Sequence, residues 1–195
     1  MKVYWLGGLN FEVSAENTRI VFNPTGMSDA DYIFASNTDM YDCYYASKVF
    51  IKENFEYSDN NIEAKGILSE NGDDVIHTFN VGGISVAHFG CGMRDYSKKT
   101  VDKIGQIDIA FIPIHVEGKS ISAQAKKIMD AIDVNIVIPM VFTSKMDENE
   151  QLPSLTEFLD EIKGEYDYSY IGKDYFEIEK AELKKRTRVI IMHIK

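Results

Sequence analysis

Short apolar runs separated by glycine, proline and polar turns predict a chain built mainly from β-strands. Strands are predicted at residues 1–6, 10–13, 19–22, 32–35, 49–51, 107–115, 136–140, 166–170, 175–178 and 189–194. Residues 75–88 form two alternating runs joined by Gly82-Gly83, which is the pattern of a tight β-hairpin. Apolar side chains at helical spacing predict one helix over residues 120–133 and another over residues 155–162.

Length and composition favour a single domain over residues 1–195. The chain is 45% hydrophobic and has only 4 prolines, so it can bury a core and shows no obvious linker. Its 2 cysteines are too few for a disulfide scaffold, and its first residues lack the apolar core of a signal peptide, so a cytoplasmic location is expected. The net charge of -10 argues against nucleic acid and anionic membranes as partners, and no apolar run is long enough to span a bilayer.

The residues that follow the predicted strand at 32–35 are the first candidates for a functional site. Residues 31–45 read DYIFASNTDMYDCYY, so a buried strand leads into a polar and aromatic loop. This stretch resembles the segment of the metallo-β-lactamase superfamily that reads D-x-I-L-x-T-H-x-H-x-D-H. In that family the three histidines and the second aspartate bind one or two metals. The four positions here hold Asn37, Asp39, Tyr41 and Asp42.

Two turns near the expected site also depart from the family pattern. Leu6-Gly7-Gly8-Leu9 stands where the family often has L-G-H-A. Asn23-Pro24 stands where it usually has Asp-Pro, so Asn23 takes the position of a carboxylate beside the active site. Both polar markers of the family are therefore replaced.

The later metal motifs are altered as well. The hairpin continues as His88-Phe89-Gly90-Cys91, so Cys91 replaces the aspartate that bridges the metals in the family. The strand at 136–140 resembles V-I-P-M-H-Y, and Val141 takes the position of its histidine, the last metal ligand. A further family histidine should fall near residues 68–71, which contain none.

The resemblance implies an α/β protein with the four-layer αββα sandwich of the metallo-β-lactamase type. Within the superfamily the chain is most similar to the small hydrolases of the L-ascorbate-6-phosphate lactonase-like group. The altered motifs imply a degenerate active site with no catalytic residue, no metal and no cofactor. We therefore expect a non-catalytic protein that binds a small molecule or a protein partner through the former active-site cleft. Its expected lining residues are Asn23, Cys43, His88 and His115.

A relocated metal site is the main alternative. Asp39, Asp42, His88 and Cys91 offer oxygen, nitrogen and sulfur ligands, and zinc or manganese bound there would make the chain a lactone or phosphoester hydrolase. The spacing of these residues matches no recognised metal signature, and isolated histidines at strand ends are more often structural. A nucleophilic Cys43 or Cys91 ranks lower, since nothing in the sequence places an imidazole beside either sulfur.

Further residues carry expectations about packing. Tyr41 stands where the family has a small aspartate, so its side chain is predicted to fill the former metal pocket near Val141 and Cys91. His77 and His193 fall in predicted strands and are expected to be structural. Oligomer formation is compatible with the sequence.

Overall fold

The computed structural model describes residues 1–36, 48–68, 75–90, 96–116, 118–140, 153–183 and 186–193. Within these ranges the chain forms two large β-sheets, one small two-stranded sheet and three α-helices. The predicted α/β fold, rich in strands and poor in helices, is confirmed.

The first sheet has six strands and contains the N-terminal meander predicted from the sequence. Its strands are β1 (Lys2–Gly7), β2 (Asn10–Ala15), β3 (Thr18–Phe22), β4 (Tyr32–Ala35), β5 (Lys48–Ile51) and β15 (Tyr175–Glu177). They lie in the order β15-β1-β2-β3-β4-β5. β1, β2 and β3 pair antiparallel, whereas β4 and β5 run parallel to β3, so β3 and β4 end at the same edge of the sheet.

The second sheet has eight strands. They are β6 (Phe55–Ser58), β7 (Glu63–Leu68), β8 (Val75–Val81), β9 (Ile84–His88), β10 (Ile107–Pro113), β13 (Val134–Met140), β14 (Asp167–Tyr170) and β16 (Arg188–Ile191). Their order is β14-β16-β13-β10-β9-β8-β7-β6. The predicted hairpin is confirmed as β8 and β9, with Val81 paired to Ile84 across the two glycines. β11 (His115–Val116) and β12 (Lys119–Ser120) form the small separate sheet.

The main hydrophobic core lies between the two large sheets. In β1, Val3 and Trp5 are buried while Lys2 and Tyr4 are partly exposed, which is the alternation that a half-buried strand requires. Phenylalanine rings from both sheets meet in the centre of the core. The closest such pair is Phe11 and Phe111, whose ring centroids are 4.2 Å apart.

The helices cover the outer face of the second sheet. They are α1 (Lys98–Ile104), α2 (Ser122–Ala131) and α3 (Pro153–Ile162), and none of them is long and apolar enough to cross a membrane. A second core forms there, with Ile128 and Phe158 packed over the sheet residues Ala110 and Val137. In the described ranges, two sheets and one helical layer account for three of the four predicted layers. Val21, Ala30 and Ile33 form a separate small cluster in the first sheet and the segment after β3.

Candidate functional site

The ends of β3, β4 and β9 lie close together at one edge of the sandwich. The backbone N–H of Asn23, just after β3, donates to the carbonyl of Phe34 in β4 at 2.9 Å. The rings of Phe22 and His88, the last residues of β3 and β9, stack with centroids 4.6 Å apart. The two sheets therefore bring Asn23 and His88, both predicted to line the cleft, to the same region.

Asn23 connects this region to the end of β4. Its Oδ1 accepts hydrogen bonds from the backbone N–H of Ser36 at 2.8 Å and from the Ser36 hydroxyl at 3.0 Å. Its Nδ2 donates to the carbonyl oxygen of Leu9 at 3.4 Å. The backbone of Asn23 has a φ of 46°, in the left-handed region that asparagine tolerates better than most residues. Asn23 thus fixes the backbone of Ser36, the last described residue before residues 37–47.

His88 is fully buried, and both of its ring nitrogens form hydrogen bonds within the protein. The backbone N–H of Gly90 donates to Nδ1 at 3.1 Å, so the ring proton lies on Nε2. Nε2 then donates to the carbonyl oxygen of Leu9 at 3.1 Å. Burial lowers the pKa of His88 to about 4, because an imidazolium would lose its hydration there, although the Leu9 carbonyl opposes part of this shift. His88 is therefore neutral at physiological pH.

Asn23 and His88 converge on one acceptor, the Leu9 carbonyl. Leu9 follows the Gly7-Gly8 turn, where Gly7 and Gly8 have φ values of 108° and 55°. A glycine at these positions adopts the left-handed region without steric cost. The turn places the Leu9 carbonyl within reach of both side chains, and their polar atoms are satisfied by backbone groups and Ser36.

His77 is a second buried histidine, and it lies directly opposite His88 in the β8–β9 ladder. Among the described residues neither of its ring nitrogens has a hydrogen-bond partner. The rings of Phe34 and Phe55 lie 5.4 and 6.1 Å from its own. Burial, and next the proximity of His88, lower the pKa of His77 to about 3. Sequence reasoning placed His77 in a strand but could not reveal its unsatisfied nitrogens, since these depend on packing across the sheets.

The remaining predicted site residues are placed only in part. His115 lies in β11, half-buried, and its Nδ1 has no hydrogen-bond partner in the part of the chain that is described. The other candidates lie outside the described residues, and so does the predicted Tyr41 plug. These candidates are Asn37, Asp39, Tyr41, Asp42, Cys43, Cys91 and Val141. Among the described residues, no group of three or more His, Cys, Asp or Glu side chains is arranged to hold a metal ion.

Solved structures with the same architecture place this fold among known proteins. A proposed zinc-dependent hydrolase of the metallo-β-lactamase superfamily from Thermotoga maritima is 24% identical, with a TM-score of 0.80 and full coverage of both chains. The metallo hydrolase Igni18 from Ignicoccus hospitalis is 12% identical, with a TM-score of 0.64 over 98% of this chain and 94% of its own. At these identities the similarity concerns the fold.

A more distant structure extends the same comparison. The isothiocyanate hydrolase from Delia radicum gut bacteria is 9% identical, with a TM-score of 0.58 over 83% of this chain and 92% of its own. No curated protein sequence matches the chain. The family model described as the beta-lactamase superfamily domain matches residues 44–141, which is half of the chain. The chain therefore belongs to the β-lactamase superfamily and has the metallo-β-lactamase fold.

Proposed function

We propose that this chain is a non-hydrolytic member of the superfamily that binds a small molecule or a protein partner through the former active-site cleft. The observation that carries the proposal is the hydrogen bonding of His88, the one residue of the alternative metal site that lies among the described residues. A histidine ligates a metal through a ring nitrogen with a free lone pair. In His88 the Nδ1 lone pair accepts from Gly90 and Nε2 carries the proton donated to Leu9. Metal binding by His88 would require one of these bonds to break.

The sequence at the family's ligand positions supports the same conclusion. Asn37 and Val141 replace histidines, and Tyr41 replaces an aspartate. Valine has no donor atom, and asparagine and tyrosine are unusual zinc ligands. A catalytic zinc needs about three protein ligands and an open position for the attacking water. These substitutions leave too few ordinary ligands to activate a water in the arrangement that the family uses.

Asn23 supports a role for the cleft in binding rather than catalysis. Where the family usually has a carboxylate, the amide both donates and accepts, and its bonds hold Leu9 and Ser36 together. An aspartate could not donate to the Leu9 carbonyl at neutral pH. The substitution thus fits an edge of the cleft that is held by neutral hydrogen bonds and does not depend on a metal.

Thermal unfolding with and without chelator tests this proposal. A ligand that binds only the folded state raises the unfolding temperature, and removing it must lower that temperature. For protein purified without chelator, we expect EDTA to leave the midpoint temperature of unfolding unchanged. Added zinc should produce no saturable increase in that temperature. A clear decrease with EDTA that zinc reverses would contradict the proposal. It would instead favour a hydrolase with a relocated site built from Asp39, Asp42, His88 and Cys91.

A further inference from the structure

β14 is an open edge of the second sheet, and both of its tyrosines are exposed. The strand reads Asp-Tyr-Ser-Tyr, and Tyr168 and Tyr170 are 47% and 53% exposed. Edge strands in monomeric proteins commonly carry lysine, proline or a bulge that discourages pairing with another chain. β5, another edge strand of the described sheets, begins with Lys48 and is followed by Lys52. β14 contains no lysine and no proline, and its one charged residue, Asp167, lies at its start.

The backbone of β14 has a defined set of unpaired groups. The N–H of Ile171 donates to the carbonyl of Ile191 in β16 at 3.1 Å. Because the polar groups of successive strand residues point to opposite sides, those of Asp167 and Ser169 also point toward β16. The N–H and C=O groups of Tyr168 and Tyr170 therefore point away from the sheet. In the part of the chain that the structure describes, no strand pairs with this side of β14, so these groups can pair with a further strand.

The side chains on this edge form one aromatic face. Tyr168 and Tyr170 are in register with Val189 and Ile191 of β16, which belong to the core beneath the helices. Both tyrosines consequently lie on the helix-covered side of the sheet. Their rings meet edge to face at 6.2 Å between centroids.

We propose that β14 pairs antiparallel with β14 of a second copy, about a two-fold axis at Ser169, to join the two eight-stranded sheets. This register sets Tyr168 opposite Tyr170 of the partner subunit, and each of these residues offers one N–H and one C=O toward the other. The two symmetric pairs form four backbone hydrogen bonds. The four tyrosines then lie on one face as cross-strand neighbours, which stabilises antiparallel pairs. A two-fold contact requires such a self-complementary edge.

Charge in the flanking segments agrees with this register. In this register Glu165, whose side chain is 60% exposed and ion-paired with Lys126 at 2.9 Å, lies in the turn before β14 on the side of Lys173 of the partner subunit. Lys173 is exposed and borders a depression lined by Ile171, Tyr175, Phe176 and Glu177.

The contact is small compared with stable interfaces, and each copy carries a charge of -10. We therefore expect a monomer–dimer equilibrium that shifts toward dimer with rising protein concentration and, through screening, with rising salt.

Cysteine cross-linking tests the register directly. On the proposed axis Ser169 faces Ser169 of the partner subunit in a non-hydrogen-bonded pair, where Cα atoms are about 4.5 Å apart. That separation is within disulfide range, about 4.4–6.8 Å. We expect Ser169→Cys to give a disulfide-linked dimer under mild oxidation. Asp167→Cys is the matched control, since the two copies of this residue would lie roughly 13 Å apart along the strands.

Sedimentation analysis tests the association without a cross-link. Tyr170→Lys should weaken the dimer about tenfold or more, because it removes two aromatic cross-strand pairs per dimer. Met27→Lys is the matched control, because it makes the same change of charge at another exposed apolar residue. Met27 is 69% exposed and lies outside the large sheets, so the dimer of this variant should have the wild-type dissociation constant. A wild-type protein that stays monomeric at every concentration would overturn the proposal. Equal cross-linking of Ser169→Cys, Asp167→Cys and unsubstituted protein would also overturn it.

Discussion

The side chains of Asn23 and His88 donate to one acceptor, the carbonyl oxygen of Leu9. Asn23 follows a strand of the first sheet and His88 ends a strand of the second, so the shared acceptor joins the two sheets at one edge of the sandwich. In both side chains the hydrogen-bonding atoms face the protein. This network binds the neutral His88 ring and the Asn23 amide to the backbone of the protein.

Removing the Asn23 side chain should destabilise this edge of the sandwich. Asn23→Ala leaves the buried Ser36 N–H without its acceptor and puts alanine, which tolerates the left-handed region less well than asparagine, at a φ of 46°. We expect a loss of about 2–4 kcal/mol in the free energy of unfolding, measured by urea denaturation.

Asn23→Gly separates the two contributions to that loss. Glycine also lacks the amide but adopts the φ of 46° without strain. It should therefore recover about 1 kcal/mol relative to alanine. Equal stability of the two variants would show that backbone strain at residue 23 is unimportant. Wild-type stability in both variants would show that the side-chain hydrogen bonds of Asn23 are unimportant as well.

Acid should destabilise the protein through His77 and His88. In the unfolded chain these histidines take up protons near their ordinary pKa of 6.5, whereas in the folded protein their pKa values are about 3 and about 4. The unfolded state therefore binds more protons as the pH falls below 6.5, and folding stability decreases. Each group contributes a slope of up to about 1.4 kcal/mol per pH unit between its two pKa values. Denaturation series at pH 7 and pH 5 measure this slope.

Replacing His77 by leucine should reduce that acid sensitivity. The variant removes one of the two buried imidazoles and two polar atoms that have no hydrogen-bond partner among the described residues, so we also expect about 1 kcal/mol of added stability at pH 7. His193→Gln is the control, because His193 is exposed after the end of β16 and should leave the slope unchanged. An unaltered slope in His77→Leu would mean that His77 is not neutral and buried as described.

A cluster around Asp59 should stabilise the opposite edge of the sandwich. The hydroxyls of Tyr32, in the first sheet, and Tyr57, in the second, each donate to Asp59 Oδ2 at 2.6 Å. These bonds hold the pKa of Asp59 well below its usual range, and the bond to Asp59 raises the pKa of Tyr57 to about 12. Tyr32→Phe should lower the free energy of unfolding by about 1 kcal/mol or more, because the Tyr32 side chain is buried.

Tyr57→Phe is the matched comparison for Tyr32→Phe. It removes the same kind of bond from a more exposed side chain, so its effect on urea denaturation should be smaller. A larger loss of stability in Tyr57→Phe than in Tyr32→Phe would contradict a cluster that joins the sheets mainly through Tyr32.

Strong periodic patterns predicted most of the fold. β1 to β5, the β8–β9 hairpin, β10, β13, α2 and α3 all coincide with predicted segments. β6 and β7 were missed although charged residues alternate with less exposed ones along them, because β6 has only Phe55 and Tyr57 as apolar positions and Gly66 interrupts β7. An added β-carbon at Gly66 would lie 2.1 Å from the carbonyl oxygen of Glu53, a close approach that no sequence pattern signals. α1 was missed because only Thr100 and Ile104 of its seven residues are buried.

The candidate site was less accessible to sequence reasoning. The resemblance predicted that Asn23 and His88 line the cleft, which stays a prediction, and the structure brings both side chains to the carbonyl of Leu9. The shared carbonyl could not be foreseen, since a backbone acceptor from a distant turn leaves no trace in residue types. The roles predicted for Asn37, Tyr41, Cys91 and Val141 lie outside the described residues and stay predictions.

The central claim, that the site carries no catalytic metal, is tested most directly by elemental analysis of protein purified without chelator. Zinc, manganese and iron should be measured against protein concentration, with the final dialysis buffer as the blank. The satisfied nitrogens of His88 and the replaced ligands at Asn37, Tyr41 and Val141 predict far less than one equivalent of all three metals combined. One or two equivalents of a single metal, retained through dialysis, would contradict the account.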